Sequence, residues 1–447
     1  MVRGIMNLSQ LLNKLSYVNT NNRTLLGYRA SVLPNGLTVL TDYMPPEIRR
    51  EQVEINLYVW AGNWHEPHGK YGLAHLVEHM AVDSTTKKRD REQYVELADR
   101  TGSSFNAETR ETFTRFDVKT LDPHLFLCLG VVFEQVLDDK IVAAELKNEK
   151  GAIQEEIRRT EATPQDYAEL MAKGNLFGVE PFSLYGLGSV EGVASIDIKD
   201  IHTFRLRYYK PENMTLVVTG SHMYPNGSIQ QRAQRFHNDV VEVANAHFER
   251  FYQEGIAERP APRTHRVSIT EHRITHEPRN ISNLYMVKGT RNGAQTDLAG
   301  DLSTEILALM IDSRLEEELR GRKGLIYTAE CAYTAWPEEF FYVSTSFHPS
   351  RRSIVTDFVR RTEDSLASSV PDAEFETQRS RLRELTKSKY RFGAHPVQEH
   401  INRRLGLREN FQDAMGTLEE LVPDDIRKIA SHIFSQPYSQ ASLGSLE

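Results

Sequence analysis

The chain has 447 residues, 39% of them hydrophobic and 26% charged, which is the composition of a folded globular protein of two to three domains. Its formal net charge of −8 argues against a general nucleic-acid binder, and no apolar run approaches the roughly 18 residues that a transmembrane helix needs. The two cysteines, Cys128 and Cys331, indicate no disulfide framework. We expect both to be reduced and buried.

The N-terminal segment has some features of a targeting peptide. Residues 1–41 contain no Asp or Glu, and apolar residues recur there at helical spacing, at Ile5, Leu8, Leu11, Leu12 and Leu15. An acid-free amphipathic segment is typical of mitochondrial transit peptides, but this one is poor in Arg and rich in Asn. We therefore predict a retained N-terminal extension, residues 1–27, on a cytoplasmic protein, with the mitochondrial matrix as the alternative location.

A strand and a loop come next. Residues 53–60 largely alternate apolar and polar side chains, which predicts a half-buried strand. The loop that follows contains Gly and Pro, and we expect its histidines, His65 and His68, to be solvated rather than bound to metal.

The segment His75-Leu76-Val77-Glu78-His79 has the chemistry of a metal site. Positions i and i+4 are neighbours on a helix, so His75 and His79 can reach one ion, and Glu78 lies beside them. The order H-x-x-E-H is the inverted form of the H-E-x-x-H zinc motif, in which the Glu is a base. Because the chain contains 16 His, a chance match is the alternative.

A helix at this position is supported by the flanking residues. Residues 73–81 contain no Gly or Pro, and four apolar residues fall on one stripe, at Leu73, Leu76, Val77 and Met80.

The next two candidate elements are strands. Residues 103–112 form a modest strand candidate, whose ordinary interpretation is a strand with one polar, exposed face, and residues 112–119 form another.

A catalytic zinc ion needs a third protein ligand from another segment. Residues 124–158 are predicted to be mostly helical, and the carboxylates of Glu149, Glu155 and Glu156 lie within this stretch. Glu149 and Glu156 are two turns apart and share a face, while Glu155 is rotated about 100° from Glu156. The pattern alone does not choose among the three.

The second half repeats the order of strands and helices after a Pro-containing break at residues 258–264. Strands are predicted near 216–220, 283–287, 340–347 and 440–444, and helices over 297–322 and 350–390. The second half has no H-x-x-E-H, so only the first half carries a candidate metal site.

The chain resembles the pitrilysin-like inverzincin peptidases, the family of insulin-degrading enzyme and mitochondrial processing peptidase. The resemblance rests on the H-x-x-E-H motif, on the Glu149–Ile157 segment with Glu156 placed 77 residues after His79, and on Tyr208–Gly220. It runs from about Leu33, where Leu33–Val39 resembles the family's opening strand, to the C-terminus. One departure is Val82-Asp83-Ser84-Thr85, where the family has a run resembling Phe-Lys-Gly-Thr.

The resemblance implies an α+β fold of two tandem homologous α/β rolls, each an antiparallel-rich sheet packed with helices. We expect an N-terminal extension at 1–27, a catalytic roll at 28–255, a linker at 256–266 and a second roll at 267–447. It also implies one Zn²⁺ per chain on His75, His79 and Glu156, with Glu78 as general base and Glu149 as an accessory carboxylate that orients or supports the site.

The same resemblance assigns substrate contacts to both halves. Asn106 and Ala107 match a family strand at the sheet edge that pairs with the substrate backbone. Arg320 and Tyr327 match a pair seven residues apart that reaches the substrate carbonyl, and both are suitable donors to an oxyanion. Arg322 is close by but off this spacing.

The resemblance implies a zinc endopeptidase acting on peptides in a closed chamber. Four rolls form such a chamber in the family, so a two-roll chain is expected to dimerise. Because the zinc motif and the Arg/Tyr pair occur on one chain, a homodimer is favoured over a heterodimer with a related subunit. The alternatives are a non-catalytic scaffold subunit of the same fold and a metal storage or transport protein.

Overall fold

The computed structural model describes residues 27–46, 52–177, 186–248, 269, 271–291, 297–334, 339–389, 397, 400–402 and 411–446. The expected linker, 256–266, and all but the last residue of the expected N-terminal extension lie outside these ranges. Within them, no helix has the length and apolar character needed to cross a membrane. Cys128 and Cys331 are both free and buried, as expected.

The first sheet has six strands in the order β1-β2-β6-β3-β5-β4. The β2–β6 pair is parallel and the other neighbours are antiparallel. The strands are β1 (Tyr28–Val32), β2 (Thr38–Tyr43), β3 (Gln52–Val59), β4 (Ser104–Thr109), β5 (Thr114–Leu121) and β6 (Met214–Gly220).

The segment Leu33–Val39 is mostly a turn, so its interpretation as an opening strand was wrong. Residues 33–37 connect β1 to β2, with Leu33 N–H donating to the Leu37 carbonyl. Gly36 adopts φ +88°, a left-handed conformation that favours glycine at the turn. Only the last residues of the predicted strand belong to β2.

Eight α-helices of the described residues lie in the first part of the chain, up to Phe248. They are α1 (Leu73–Val82), α2 (Arg91–Thr101), α3 (Leu125–Leu137), α4 (Ala143–Ala162), α5 (Pro164–Phe177), α6 (Val190–Ser195), α7 (Ile198–Tyr208) and α8 (Ile229–Phe248). The helical stretch expected over 124–158 is divided at residues 138–142. There Arg205 of α7 donates to the carbonyls of Val136 and Asp138.

The second sheet repeats the topology of the first. Its order is β7-β11-β8-β10-β9, and its first pair is parallel while the others are antiparallel. This matches β2-β6-β3-β5-β4 strand for strand, so the expectation of two tandem homologous rolls is confirmed. The strands are β7 (Arg273–Glu277), β8 (Leu284–Thr290), β9 (Ile326–Thr334), β10 (Phe340–Phe347) and β11 (Tyr438–Leu443).

The helices of the second roll begin with α9 (Leu298–Arg314), which continues into a π-helical segment (Leu315–Arg322). In chain order α9 occupies the place that α1 has in the first roll, between two strands that correspond to β3 and β4. The remaining helices are α10 (Arg352–Ser368), α11 (Asp372–Lys389), α12 (Phe411–Glu420) and α13 (Pro423–Ser435).

Helix α5 joins the two rolls. Ala168 and Ala172 are fully buried in an apolar cluster with β8, β10 and β11 of the second sheet. Ser439 of β11 donates to the Ala172 carbonyl at 2.8 Å, and Gln165 donates to Ser344 of β10 at 3.1 Å. Because α5 directly follows α4, the helix that carries Glu149 and Glu156 leads into a helix fixed on the second roll.

Candidate metal centre

The start of α1 is held by a buried carboxylate. Glu66 is 1% exposed and accepts hydrogen bonds from Gly72 N–H at 2.9 Å and Ala74 N–H at 2.8 Å. A helix N-terminus leaves such N–H groups without helical partners and favours negative charge. The hydrogen bonds from the backbone lower the pKa of Glu66, but burial has the larger effect and raises this pKa to about 8.

No role for Glu66 was predicted from the sequence. The available signal was an acidic residue shortly before a helix that lacks a Ser, Thr, Asp or Asn cap. Gly72 takes that cap position with φ +97°, and a Cβ there would lie 2.6 Å from Val193 and 2.8 Å from the Leu187 carbonyl. The orientation of α1 therefore depends on Gly72 for close packing and on Glu66 for hydrogen bonding.

Replacing Glu66 by Ala is expected to destabilise α1 locally by about 1–3 kcal/mol, because two buried N–H groups lose their acceptor. Hydrogen exchange of peptides covering residues 66–82 measures this opening free energy directly. Glu92→Ala, which removes an exposed acidic residue from the first turn of α2, is the matched control and should change little. Unchanged protection of α1 in Glu66→Ala would contradict this role.

The interior of α1 is immobilised by packing. Leu73, Leu76 and Val77 are fully buried in the core of the first roll, as the predicted apolar stripe requires. His75 and Glu78 are also buried, each 8% exposed. Their side chains are therefore oriented by the protein rather than by solvent.

Three ligand atoms converge next to α1. The Nε2 atoms of His75 and His79 are 3.2 Å apart, and Oε2 of Glu156 is 3.8 Å from His75 Nε2. All three ligand atoms lie within 4.8 Å of one another. The structure thus brings together the three residues that the sequence resemblance names as ligands.

This donor set fits zinc. Tetrahedral zinc with Zn–N bonds of 2.0–2.1 Å places its ligand atoms about 3.3 Å apart, close to the separations seen here. Two imidazoles and one carboxylate form a common set for catalytic zinc, which leaves a further position for water or substrate. His75, His79 and Glu156 therefore have the donor types and the proximity to hold the ion.

Helix α4 distinguishes the three carboxylates that the sequence pattern left open. Glu149 is buried, and its Oε2 is 3.0 Å from Nδ1 of His79. Glu156 reaches His75, whereas the side chain of Glu155 is 76% exposed and pairs with Arg158. When Glu149 accepts the Nδ1 proton of His79, the Nε2 lone pair is left free for a metal.

The protonation of the two histidines is set by their surroundings. Burial, aided by the charge of His79, lowers the pKa of His75 to about 3, so this imidazole is neutral, as a ligand must be. Burial also opposes the charged form of His79, but the hydrogen bond to Glu149 and the charges of Glu78 and Glu149 raise its pKa overall. The contact with Glu149 that orients His79 therefore also favours its charged form.

Glu78 has the surroundings of a general base. Burial raises its pKa to about 7, although a hydrogen bond from Thr109 and the charge of His79 lower it. A base with a pKa near the working pH is the most effective proton acceptor. Thr109, at the end of β4, donates to Glu78 Oε2 at 2.5 Å.

The departure at Val82-Asp83-Ser84-Thr85 leaves the end of α1 anchored. Helix α1 ends at Val82, and both the N–H and the hydroxyl of Thr85 donate to Glu145 of α4, at 3.0 and 2.6 Å. Asp83 lies near His79 and Glu149, with the Arg91 guanidinium 3.5 Å from its carboxylate. The altered turn therefore keeps α1 joined to the helix that carries Glu156.

The predicted substrate strand is β4, which is the last strand of the first sheet. Asn106 is exposed and Ala107 is half-buried, and they pair with Asp117 and Phe116 of β5 on one side. Among the described strands, none pairs with the other side of β4. The backbone there has the geometry of a strand that can accept another chain.

Arg320 and Tyr327 lie in the second roll. Arg320 belongs to the π-helical segment and pairs with Glu316 at 3.0 Å, while Tyr327 is half-exposed on β9. Within the described residues, no recorded contact joins either side chain to the ligands on α1 and α4. Thr328, the residue after Tyr327 on β9, donates to Gln165 of α5.

The expectation that His65 is solvated was wrong. His65 is 4% exposed, its Nδ1 accepts the Gly62 N–H at 3.1 Å, and its ring packs edge-on against Tyr208. The side chain is buried because residues 63–65 form a short 3₁₀ turn under α7. Its neighbour His68 is exposed.

Comparison with known proteins agrees with this architecture. The chain is 26% identical over 442 residues to an uncharacterized zinc protease of Mycobacterium tuberculosis, covering 94% of this chain and 93% of that protein. A Helicobacter pylori protease structure matches with a TM-score of 0.81 at 19% identity, covering 94% of this chain and 99% of that one. A chain of Candida albicans complex III2 matches with a TM-score of 0.72 at 12% identity, covering 93% and 95%.

Two domain families match in tandem. Residues 44–184 match the insulinase domain of peptidase family M16, and residues 236–382 match the peptidase M16 inactive domain. The first match spans the candidate metal centre, and the second lies largely in the roll that lacks a zinc motif. This chain belongs to the insulinase (M16) peptidase family.

Proposed function

We propose that this chain is a zinc-dependent endopeptidase that hydrolyses peptides or unfolded protein segments. The observation that carries the proposal is the convergence of His75, His79 and Glu156 next to the buried carboxylate of Glu78. Zinc at these residues supplies a Lewis acid that polarises a carbonyl and lowers the pKa of water toward about 7. The family and the names of relatives, zinc proteases, support the same chemistry.

The protein side chains then move the protons. Glu78 accepts a proton from the attacking water and passes it to the leaving amine, which its position beside the ligands supports. Glu149 holds His79 in the tautomer that presents Nε2 to the metal. The water attacks the peptide directly, and the mechanism contains no acyl-enzyme.

Substrate recognition is assigned to β4 and to the second roll. The edge of β4 at Asn106 and Ala107, which no described strand pairs with, binds an extended peptide through main-chain hydrogen bonds, which require little sequence specificity. Arg320 and Tyr327 donate hydrogen bonds to the developing oxyanion. The second roll must place these two side chains over the metal centre when a peptide is bound.

Replacing Tyr327 by Phe should lower the catalytic rate by about 100-fold and leave the zinc content unchanged, since one oxyanion donor is lost. Steady-state kinetics with a quenched fluorescent peptide and zinc analysis measure the two quantities. Unchanged kinetics would remove Tyr327 from the mechanism.

Arg320 offers a matched comparison for the same role. Arg320 and Arg322 are both exposed residues of the π-helical segment, and each pairs with the Glu four positions earlier. Arg320→Gln should lower the rate, whereas Arg322→Gln should not. Equal effects of the two substitutions would show that the charge of the segment matters rather than Arg320 itself.

We also propose a homodimer whose four rolls enclose the substrate. The support is that the metal centre and the Arg/Tyr pair occur on one chain of two rolls. Light scattering of the purified protein should give twice the 51.2 kDa mass of the chain. A strict monomer that hydrolyses peptides would exclude the chamber and leave the peptidase in place.

The decisive experiment measures zinc content and peptide hydrolysis on the same preparation. We expect about one zinc per chain and cleavage within the interior of a peptide. A non-catalytic scaffold subunit of the same fold is the second candidate. Bound zinc with no hydrolysis of an unbiased peptide library would support a non-catalytic role and reject the peptidase.

A further inference from the structure

Thr109 contacts the general base directly. Its hydroxyl donates to Glu78 Oε2 at 2.5 Å, and Glu78 lies 31 positions earlier in the chain. Successive side chains alternate along a strand, so the Thr109 hydroxyl reaches α1 while Asn106 of the same strand faces solvent. One strand therefore contacts the base and presents the edge at which a peptide is proposed to pair.

The position of Thr109 is fixed from two sides. Thr109 pairs with Thr114 of β5, and the hairpin that follows is closed by Arg110 N–H donating to the Phe113 carbonyl at 2.8 Å. The loop that leads to α1 is bonded to the same hairpin, because Asn63 N–H donates to the Arg110 carbonyl at 3.1 Å. The end of β4 cannot shift relative to α1 without breaking these bonds.

Gly62 makes this approach possible. A Cβ at Gly62 would lie 1.8 Å from the Arg110 carbonyl oxygen, so any other residue would push the hairpin away from the loop. Such close approach of two backbones is a common reason for glycine. The contact between Thr109 and Glu78 is thus built into the backbone rather than left to two mobile side chains.

A single hydrogen bond to one carboxylate oxygen leaves the other oxygen for chemistry. Oε2 of Glu78 is occupied by Thr109, and Oε1 has no recorded hydrogen bond within the described part of the chain. A general base acts only when it is held within hydrogen-bond reach of the proton that it removes. A Glu side chain has several rotatable bonds, and fixing it in one orientation before reaction raises the rate.

We propose that Thr109 is the positioning residue of the Glu78 base, holding Oε2 so that Oε1 receives the proton. The proposal rests on the proposed peptidase function and deepens it. Strand β4 then has two roles: it binds the substrate backbone, and it sets the orientation of the base. Among the described residues, the side chain of Thr109 bonds to Glu78 and makes no recorded bond to His75, His79 or Glu156, so it acts through Glu78.

Replacing Thr109 by Val keeps the shape of the side chain and removes the donor. We expect kcat to fall by about 10- to 100-fold, the usual effect of losing a hydrogen bond to a charged group, with KM and zinc content unchanged. Thr109→Ser retains the hydroxyl and should restore most of the rate. Thr114→Val, which removes a buried hydroxyl bonded to the Ala61 carbonyl, controls for loss of a hydroxyl from the same hairpin.

Two further measurements separate positioning from a structural effect. In a Glu78→Gln background, Thr109→Val should have no additional effect on the residual rate, because the two residues act as one unit. Difference infrared spectra between the wild type and Glu78→Gln isolate the carboxylate band of Glu78. That band should shift in Thr109→Val and not in Thr109→Ser.

These experiments separate a failure of the positioning role of Thr109 from a failure of the peptidase function. If the wild type cleaves peptides, Glu78→Gln does not, and Thr109→Val cleaves at the wild-type rate, the positioning role is wrong and the peptidase stands. If no zinc-loaded form cleaves any peptide, the proposed function fails. The infrared comparison still decides the role of Thr109 in that case, and an unshifted Glu78 band would overturn it.

Discussion

Replacing Glu78 by Gln is expected to abolish most peptide hydrolysis while zinc remains bound. Gln has nearly the same shape and can still accept the Thr109 hydrogen bond, but it cannot take a proton. General-base catalysis contributes about 100- to 10,000-fold, and a loss of this size is therefore expected in kcat. Because the proposed ligands His75, His79 and Glu156 are untouched, the metal content should equal that of the wild type.

The measurement compares kcat, zinc content and circular dichroism for the wild type and Glu78→Gln, both purified by one protocol. The variant also serves as the control for contaminating peptidases, since a contaminant would be present in both preparations. Hydrolysis at the wild-type rate by Glu78→Gln would show that Glu78 is not the base. Loss of zinc in the variant would instead show that Glu78 supports the metal.

The features of α1 that could be predicted are those that depend on local spacing. The i and i+4 positions of His75 and His79 and the apolar stripe through Leu76 follow from helical periodicity alone. The structure places all of them as that pattern predicts. The repeated order of strands and helices could also be predicted, because the strands of each roll have apolar patterns that are recognisable in the sequence.

The choice among the carboxylates of α4 had a signal that the sequence interpretation did not use. Leu146, Ile153 and Ile157 are the buried apolar residues of this helix, and Glu149 and Glu156 lie three positions after the first two of them. Residues three or four apart share a helix face, so both carboxylates belong to the buried face. Glu155 falls outside it, which the family resemblance also indicated.

Other site residues could not be predicted because they depend on tertiary structure. Glu66 acts through backbone groups of α1, and its role depends on a loop that folds back over Gly72. Thr109 meets Glu78 only because β4 is placed at the end of the sheet next to α1. Strand order is not encoded in the local pattern, so the contact between Thr109 and Glu78 is not visible in the sequence.

Replacing Glu156 by Gln is expected to weaken zinc binding, and hydrolysis should fall with it. Loss of a residue that only supports the ligands typically costs about 10- to 100-fold in metal affinity, and loss of a ligand should cost at least as much. The substitution removes the only negative charge among the three proposed ligands and leaves a neutral amide in its place. Glu155→Gln is the matched control, because it makes the same change on the next residue of the same helix, where the side chain faces solvent.

Competition with a chromophoric chelator gives the zinc affinity of both variants, and activity at saturating zinc separates affinity from turnover. Glu155→Gln should match the wild type in both measurements, since loss of an exposed pair with Arg158 costs little. If Glu155→Gln lost zinc and Glu156→Gln kept it, α4 would have to be rotated by about 100° in the metal-bound protein. The His79–Glu149 contact, which shares a face with Glu156, would then be lost as well.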